Sequence, residues 1–551
     1  MSAVTAAPPL HRAEPVRGGT TLTGTWSLVR FILRRDRVRL VVWSLGIPLL
    51  YLGSLPEYTT MLDDSEGQAV RAALVSSPAM VAMTGPGYGT DDYTVGPALA
   101  NELTLWVVIA LAVMSILQVV RHTRAEEESS RSELVRAAAV GRHAAVVAAL
   151  FVVLVVNAVI AVLSAAVLAA ADLDLTDALG MTGGIAVAAL TYGAVALVAA
   201  QVTEHSRGAT GLSMAVLGAT FTVGTVGNMQ EPGGTWLSWL SPIGWAQQMR
   251  AFVDLRWWPA AIGVVVIVLL LLAASSLASR RDFGAGLVPD RPGRADALDS
   301  LRSPGALAWV QQRMALLWTG LGLGIMWLAM GTVASDVPEL TKTLQDNPVY
   351  ASVLGAGDPV AGFLRIIVLY AALGAAVYGI VAMLRAKAEE DAGRAEYVLA
   401  TPVARGRWFG ATLGISSAAT VVVLVVGVAA GAAGAVFTGL SDPSFGAILG
   451  AGLLYLPALA VFVGFTAAVY AWAPRAASVS WVLLEWAIVV ALFAGLFHIP
   501  EWAQKISPFW WVPDSLSGDV DRGHVGGLCA VALVLVVLAF VGFRRRDVAT
   551  R

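Results

Sequence analysis

Lysine is almost missing from this chain of 551 residues: only Lys342, Lys387 and Lys505 occur. That scarcity excludes a nucleotide-binding P-loop. The pattern G-x-x-x-x-G-K-[ST] needs a lysine against the phosphates, and none of the three stands in that setting. A single cysteine, Cys529, excludes an intrachain disulfide and a thiolate cluster. The six histidines are scattered, with no H-E-x-x-H or Cys/His spacing, so no metal ligand and no catalytic residue is assigned. Charged residues reach only 13%, where a soluble domain carries roughly 25%, and this excludes an ordinary globular protein. The N-terminal stretch MSAVTAAPPLHRAEPVRGG has no apolar core and reads as a polar tail, not a cleaved signal peptide.

Hydrophobic residues make up 57% of the chain, and the mean hydropathy is +0.72. This composition predicts an all-α polytopic membrane protein. A spanning helix needs about 20 mostly apolar residues. Twelve such segments are expected, at 38–55, 98–120, 144–171, 182–203, 208–228, 258–279, 313–333, 362–384, 408–438, 445–472, 477–498 and 524–543. They divide the chain into a tail with an interfacial helix (1–37), a six-span half (38–279), a cytoplasmic linker with a second interfacial helix (280–312), a second six-span half (313–543) and a basic tail (544–551). With the N-terminus inside, 29 of the 36 lysines and arginines fall on the inner side, as the positive-inside rule requires. The expected location is therefore a bacterial plasma membrane with both termini cytoplasmic. The outer loops are acidic, as at Asp63, Asp64, Glu66, Asp91 and Asp92.

One charged loop occurs twice. Residues 125–142 (AEEESSRSELVRAAAVGR) and 388–405 (AEEDAGRAEYVLATPVAR) are identical at nine of eighteen positions with a constant offset of 263. Each copy follows the second span of its half. Other matches keep the same order: SPAMVAMTGPG (77–87) with NPVYASVLGAG (347–357), LSPIGW (240–245) with ISPFWW (506–511), and RRD at 280–282 and 545–547. The halves are a parallel duplication. Two readings of the loop are open. It is a solvated helix with intrahelical ion pairs such as Glu127–Arg131, or a docking surface that a paired partner uses twice. The stretches TWSLVRFILRRDR (25–37) and LAWVQQR (307–313) read as interfacial helices or as simple basic flanks of the next span. Glycines in GVAAGAAGA (427–435) and GAILGAG (446–452) suit close helix packing, not phosphate binding.

The loop pattern EE-x-x-x-R-x-E-x-x-x-A-x-x-V-x-R, with the interfacial stretch before it, resembles permeases of type-2 ABC exporters. The fused twelve-span form is similar to actinobacterial antibiotic exporters of the tetronasin-transport type. In that family the loop holds the coupling helix that docks on the ATPase. The resemblance therefore implies coupling roles for Glu126, Glu127, Arg131 and Glu133 in one half, and for Glu389, Glu390, Arg394 and Glu396 in the other. It implies no cofactor on this chain, with ATP and magnesium on two copies of a separate ATPase. The cargo implied is a hydrophobic or amphipathic small molecule, and no nucleic-acid partner is expected. Pro402 replaces Ala139 in the second copy, so the loop ends differ in shape.

The same register sets Glu102 opposite Arg365, near the outer ends of the second and eighth spans. One reading is an ion pair between halves that closes an outer gate; the other leaves each residue in its own headgroup region. Trp106 and Tyr370, a turn deeper, line an apolar pathway or pack the core. Glu485 is the one ionisable residue expected deep in a span, so it should face the bundle interior, a partner or a cavity. Tryptophans before the last span of each half (Trp236, Trp239, Trp245, Trp257, Trp258, Trp502, Trp510 and Trp511) suggest interfacial or re-entrant helices at the exit. A proton-driven twelve-span carrier is the alternative reading, although its G-x-x-x-D-R-x-G-R-R loop is missing. A polytopic membrane enzyme ranks last for want of any convergent catalytic set.

Overall fold

The computed structural model describes residues 21–76, 78–128, 140–281, 301–335, 358–493, 499–513 and 521–547, together with 286–288, 296, 337 and 516. Among them are helices and turns but no strand. Twelve helices are long and apolar enough to cross a membrane, and each coincides with an expected span. The protein is an all-α, multi-pass membrane protein. Two compact units divide at residues 292 and 293, inside the 280–312 linker.

In the first unit, spans 2 (Val95–Glu128) and 4 (Leu175–Val202) are the most buried. Their small residues allow the neighbouring spans to close on them, and span 4 packs on spans 2, 3 (Ala144–Ala169) and 6 (Trp258–Ser279). Polar side chains bridge helices where lipid offers no hydrogen bonds: Asn157 donates to Ser115 Oγ at 3.2 Å. In the second unit span 8 (Pro359–Asp391) is the buried element, and span 10 is broken between Phe445–Leu453 and Leu456–Trp472.

The two stretches expected as interfacial helices differ. Thr25–Arg35 is a separate amphipathic helix ended by Asp36, whose buried carboxylate is held by Gln118, Arg121 and His122. In contrast, residues 307–313 are the first turns of span 7 itself, which runs from Pro304 to Thr332. Ser303 caps that helix at Ala306 N (3.2 Å) and Pro304 starts it, while no Asp36-like break interrupts it. The second interfacial helix is thus corrected to a continuous span.

Spans 7 and 9 (Arg405–Phe437) make the most extensive helix contact of the second unit, and the glycines of GVAAGAAGA are at that contact, whereas in GAILGAG Gly452 packs on Val428 of span 9 and Gly450 meets nothing. A Cβ on Gly434 would lie 2.1 Å from the Leu328 carbonyl, and one on Gly331 would lie 2.0 Å from the Gly431 carbonyl. Gly414, on the same span 9, has nothing within 4 Å of that position. Overpacking typically costs about 1–3 kcal/mol and more where backbone must move. Gly434→Leu should therefore abolish the monodisperse size-exclusion peak, whereas Gly414→Leu should leave it unchanged.

Candidate functional site

Charged side chains gather at the end of each unit where most arginines lie. In the first unit, Glu126 accepts from Arg35 of the amphipathic helix (2.8 Å) and lies 3.2 Å from His122 Nδ1. The other ring nitrogen of His122 lies 2.7 Å from Asp36, so one buried imidazole links the loop to the break before span 1. Burial pushes the Asp36 carboxyl up, but hydrogen bonds from His122 and Gln118 and the charges of His122 and Arg121 outweigh it, holding it below the ordinary 3.8. Glu127 lies 2.7 Å from Arg124 and 3.0 Å from Arg281, which begins the chain beyond span 6. Arg281 also donates to Gln201 of span 4 at 2.8 Å.

The second unit repeats this arrangement with different surroundings. Glu390, the counterpart of Glu127, accepts from Arg546 at 2.6 Å and from the Tyr470 hydroxyl of span 10 at 2.6 Å. Arg546 is the middle residue of the second RRD, as Arg281 is of the first with its one-letter pattern at 280–282. In both halves the repeated glutamate thus binds the repeated arginine at the end of the sixth span (span 12, Arg522–Arg545, in the second). Arg142 and Arg405, also identical in the two loops, donate to carbonyls at that same helix end, Ala278 (3.4 Å) and Arg546 (3.3 Å). Three matching residues in each half thus form one three-way joint of its second, third and sixth spans.

The expected coupling residues therefore separate. Glu127 and Glu390 turn inward, and Glu126 is tied to Arg35 and His122. Arg131 and Glu133 lie outside the described residues. Glu389 binds Arg394 at 2.7 Å, which holds Arg394 above its usual value, chiefly by that hydrogen bond. Gly393, at φ +72°, turns the chain so that a short helix, Arg394–Leu399, can begin. Ala395 faces inward on it, while Glu396 and Tyr397 face outward, the tyrosine 79% exposed. The sequence reading missed Tyr397, although it is the one aromatic residue in either copy of the loop.

At the opposite end Glu102 is held inside its own unit. Arg71 grips both carboxylate oxygens, with Nε to Oε1 at 2.9 Å, and the hydroxyls of Tyr58 (2.9 Å) and Tyr93 (3.2 Å) donate to it. This hub ties span 1, span 2 and the outer helix Ser65–Val75 together. Arg365 is half-buried on span 8, Trp106 is half-exposed, and Tyr370 stacks on Trp327 with ring centroids 6.2 Å apart. Glu485 is on the exposed side of its helix, Val479–Phe493, not turned into the core of its unit. Of the three settings expected for it, the core of its own unit is not the one seen, and a partner or a cavity is left: hydropathy gives depth along a helix, not the direction of a side chain. The repeated tryptophan segments do form short helical turns. Trp245 donates to the Trp239 carbonyl (2.7 Å) and Trp511 to the Lys505 carbonyl (2.9 Å), each six residues back.

Twelve apolar helices in two six-span units, each joined at one end by a repeated ion pair, define a duplicated polytopic membrane protein. Residues 27–279 and 301–544, which are the two units nearly whole, match the family described as multidrug efflux system permease Rv1217c, C-terminal domain. The multidrug efflux system permease protein Rv1217c of Mycobacterium tuberculosis is 34% identical over 552 residues, covering 98% of each chain. The chain belongs to this multidrug efflux system permease family, and its role is transport, not catalysis.

Two outcomes follow. Breaking a buried ion pair from one side costs about 3 kcal/mol or more, whereas apolar replacement of both partners restores most of it. Arg546→Gln should lower the unfolding temperature of the solubilised protein, and Glu390→Met with Arg546→Met should recover most of the loss. A carboxyl held below its ordinary value stabilises the fold above that value and loses the contribution as pH falls through it. Asp36→Asn should thus be destabilising at pH 7, with the gap to wild type closing below about pH 4 in thermal melts.

Proposed function

We propose that this chain is the membrane subunit of an ATP-driven exporter that moves a hydrophobic or amphipathic drug or antibiotic out of the cell. The ATPase is a separate protein that binds as two copies and carries the ATP and magnesium. Both chain termini lie on its side of the membrane. The observation that carries this reading is the helix Arg394–Leu399, which presents Glu396 and the exposed Tyr397 beside the Glu390–Arg546–Tyr470 joint. A tyrosine exposed on a short, charged, well-anchored helix suits an interface anchor, because Tyr carries much of the energy at protein contacts. The name of the Mycobacterium relative, a multidrug efflux system permease, supports drugs as cargo. The missing P-loop lysine supports a partner that supplies the energy.

Mechanistically, a push on the exposed helix would pass through Glu390 and Arg546 to span 12, and in the first unit through Glu127 and Arg281 to the end of span 6. Force applied to one loop thereby reaches the last span of its half without crossing the soft lipid-facing surface. The exporter type proposed is the tetronasin-transport type, which the repeated loop and the fused twelve-span form resemble.

The test is co-purification with the ATPase encoded beside this chain, followed by ATP hydrolysis in lipid nanodiscs. Tyr397→Ala with Glu396→Lys should reduce complex formation about tenfold or more while the solubilised chain keeps its melting temperature. Undiminished assembly and hydrolysis in that variant, or transport that follows a proton gradient with no ATPase bound, would overturn the proposal.

A further inference from the structure

The duplication contains its own control. In the second unit the space beside the Glu390–Arg546 joint is filled by aromatic rings: Phe409 stacks on Phe543 with centroids 4.6 Å apart, and Trp408, Tyr470 and Phe540 pack round them. In the first unit the loop register sets Ala145 and Val146 at the places of Trp408 and Phe409. The RRD register likewise sets Ser275 and Ala278 at the places of Phe540 and Phe543. Gln201 stands where Tyr470 approaches its arginine. All five of these small or flexible residues line a cavity of about 680 Å³.

A void of that size is within the range of ligand sites, roughly 300–1,000 Å³, and packed interiors do not leave one by default. Its walls are amphipathic. Leu150, Leu197 and Leu271 line the apolar part, while Arg142 and His143 line the charged part. Arg142 is exposed, and its described bond goes to the Ala278 carbonyl; among the described residues no carboxylate pairs with it. Arg124 and Arg281 also line the cavity, but both are paired with Glu127, which leaves Arg142 as the guanidinium without a carboxylate among the described residues. Guanidinium donors at the charged end of a helix bundle, beside an apolar slot, suit a phosphate on an alkyl chain.

We propose that the first unit binds one amphiphile with an anionic phosphate headgroup in this cavity, its phosphate at Arg142 and its chain among the leucines, and that the second unit has closed the equivalent site with aromatic rings. The occupant is a membrane phospholipid or a free phosphorylated amphiphile; the chemistry is shared and the source is separable by experiment.

The purified full chain is titrated below the critical micelle concentration with dodecyl phosphate and with dodecylphosphocholine, and its co-purified lipids are extracted for mass spectrometry. Wild type should bind dodecyl phosphate about tenfold tighter than dodecylphosphocholine, as charge-assisted hydrogen bonds to one arginine imply. Val146→Phe with Ala278→Phe, which recreates the stacked pair of the other unit, should weaken binding of both probes by about tenfold or more. Arg142→Gln should erase the preference for phosphate while leaving dodecylphosphocholine binding in place. Phosphatidylglycerol that co-purifies with wild type and not with the filled variant supports the lipid as occupant. Dodecyl phosphate binding without co-purified lipid supports the free amphiphile. A filled variant that elutes as one species and binds like wild type overturns the proposal. If the filled variant does not fold, an unchanged phosphate preference in Arg142→Gln overturns it alone.

Discussion

Everything at the charged end of this permease depends on one ion pair made twice: Glu127 with Arg281 and Glu390 with Arg546. Each pair joins the end of the second span of its half to the end of the sixth, across more than 150 residues of chain. A carboxylate and a guanidinium half-withdrawn from water are costly apart and tolerable together. That asymmetry makes the joint a constraint on where two helices end. The neighbours then sort themselves around it. Arg142 and Arg405 occupy the carbonyls at the same helix end, and Gln201 or Tyr470 completes the set from the fourth span.

The joint also changes what the repeated loop means. Identical charges in two diverged halves suggest a surface recognised twice by one partner. Two of the five identical charges are explained without any partner, because Glu127, Glu390, Arg142 and Arg405 all serve helix ends within their own unit. What is left for a partner is the part facing outward, Glu396 and Tyr397 in the second copy. Anchored and exposed residues of one short loop thus differ: the anchored ones hold the bundle, and the exposed ones are those the proposal assigns to a partner.

Much of the fold was legible in the sequence because lipid leaves few choices. Twenty apolar residues in a row must form a spanning helix, and all twelve helices lie at the expected segments. Ends were less legible: 307–313 joined span 7 because Ser303 and Pro304 begin the helix earlier than hydropathy shows. The site was legible as a motif but not as a contact. The loop glutamates and the RRD match were both visible, yet nothing in one dimension says that they touch. Glu102 was matched by register to Arg365, but its described ligands are Arg71, Tyr58 and Tyr93, which sit on nearby segments with no repeat signature. Glu485 is exposed on its helix, and an apolar run does not say which way one side chain in it points. Tyr397 passed unnoticed because charge, not exposure, drew the eye to its loop.

The central claim is that the anchored loop of the second half is where an ATPase meets this permease. Hydrogen–deuterium exchange of the full chain in nanodiscs, with and without that ATPase, tests it most directly. Residues 394–399 should exchange several-fold more slowly in the complex, while the amides of span 12 beside Arg546 should stay protected in both states. A stable complex that leaves 394–399 exchanging at the free rate would contradict the account.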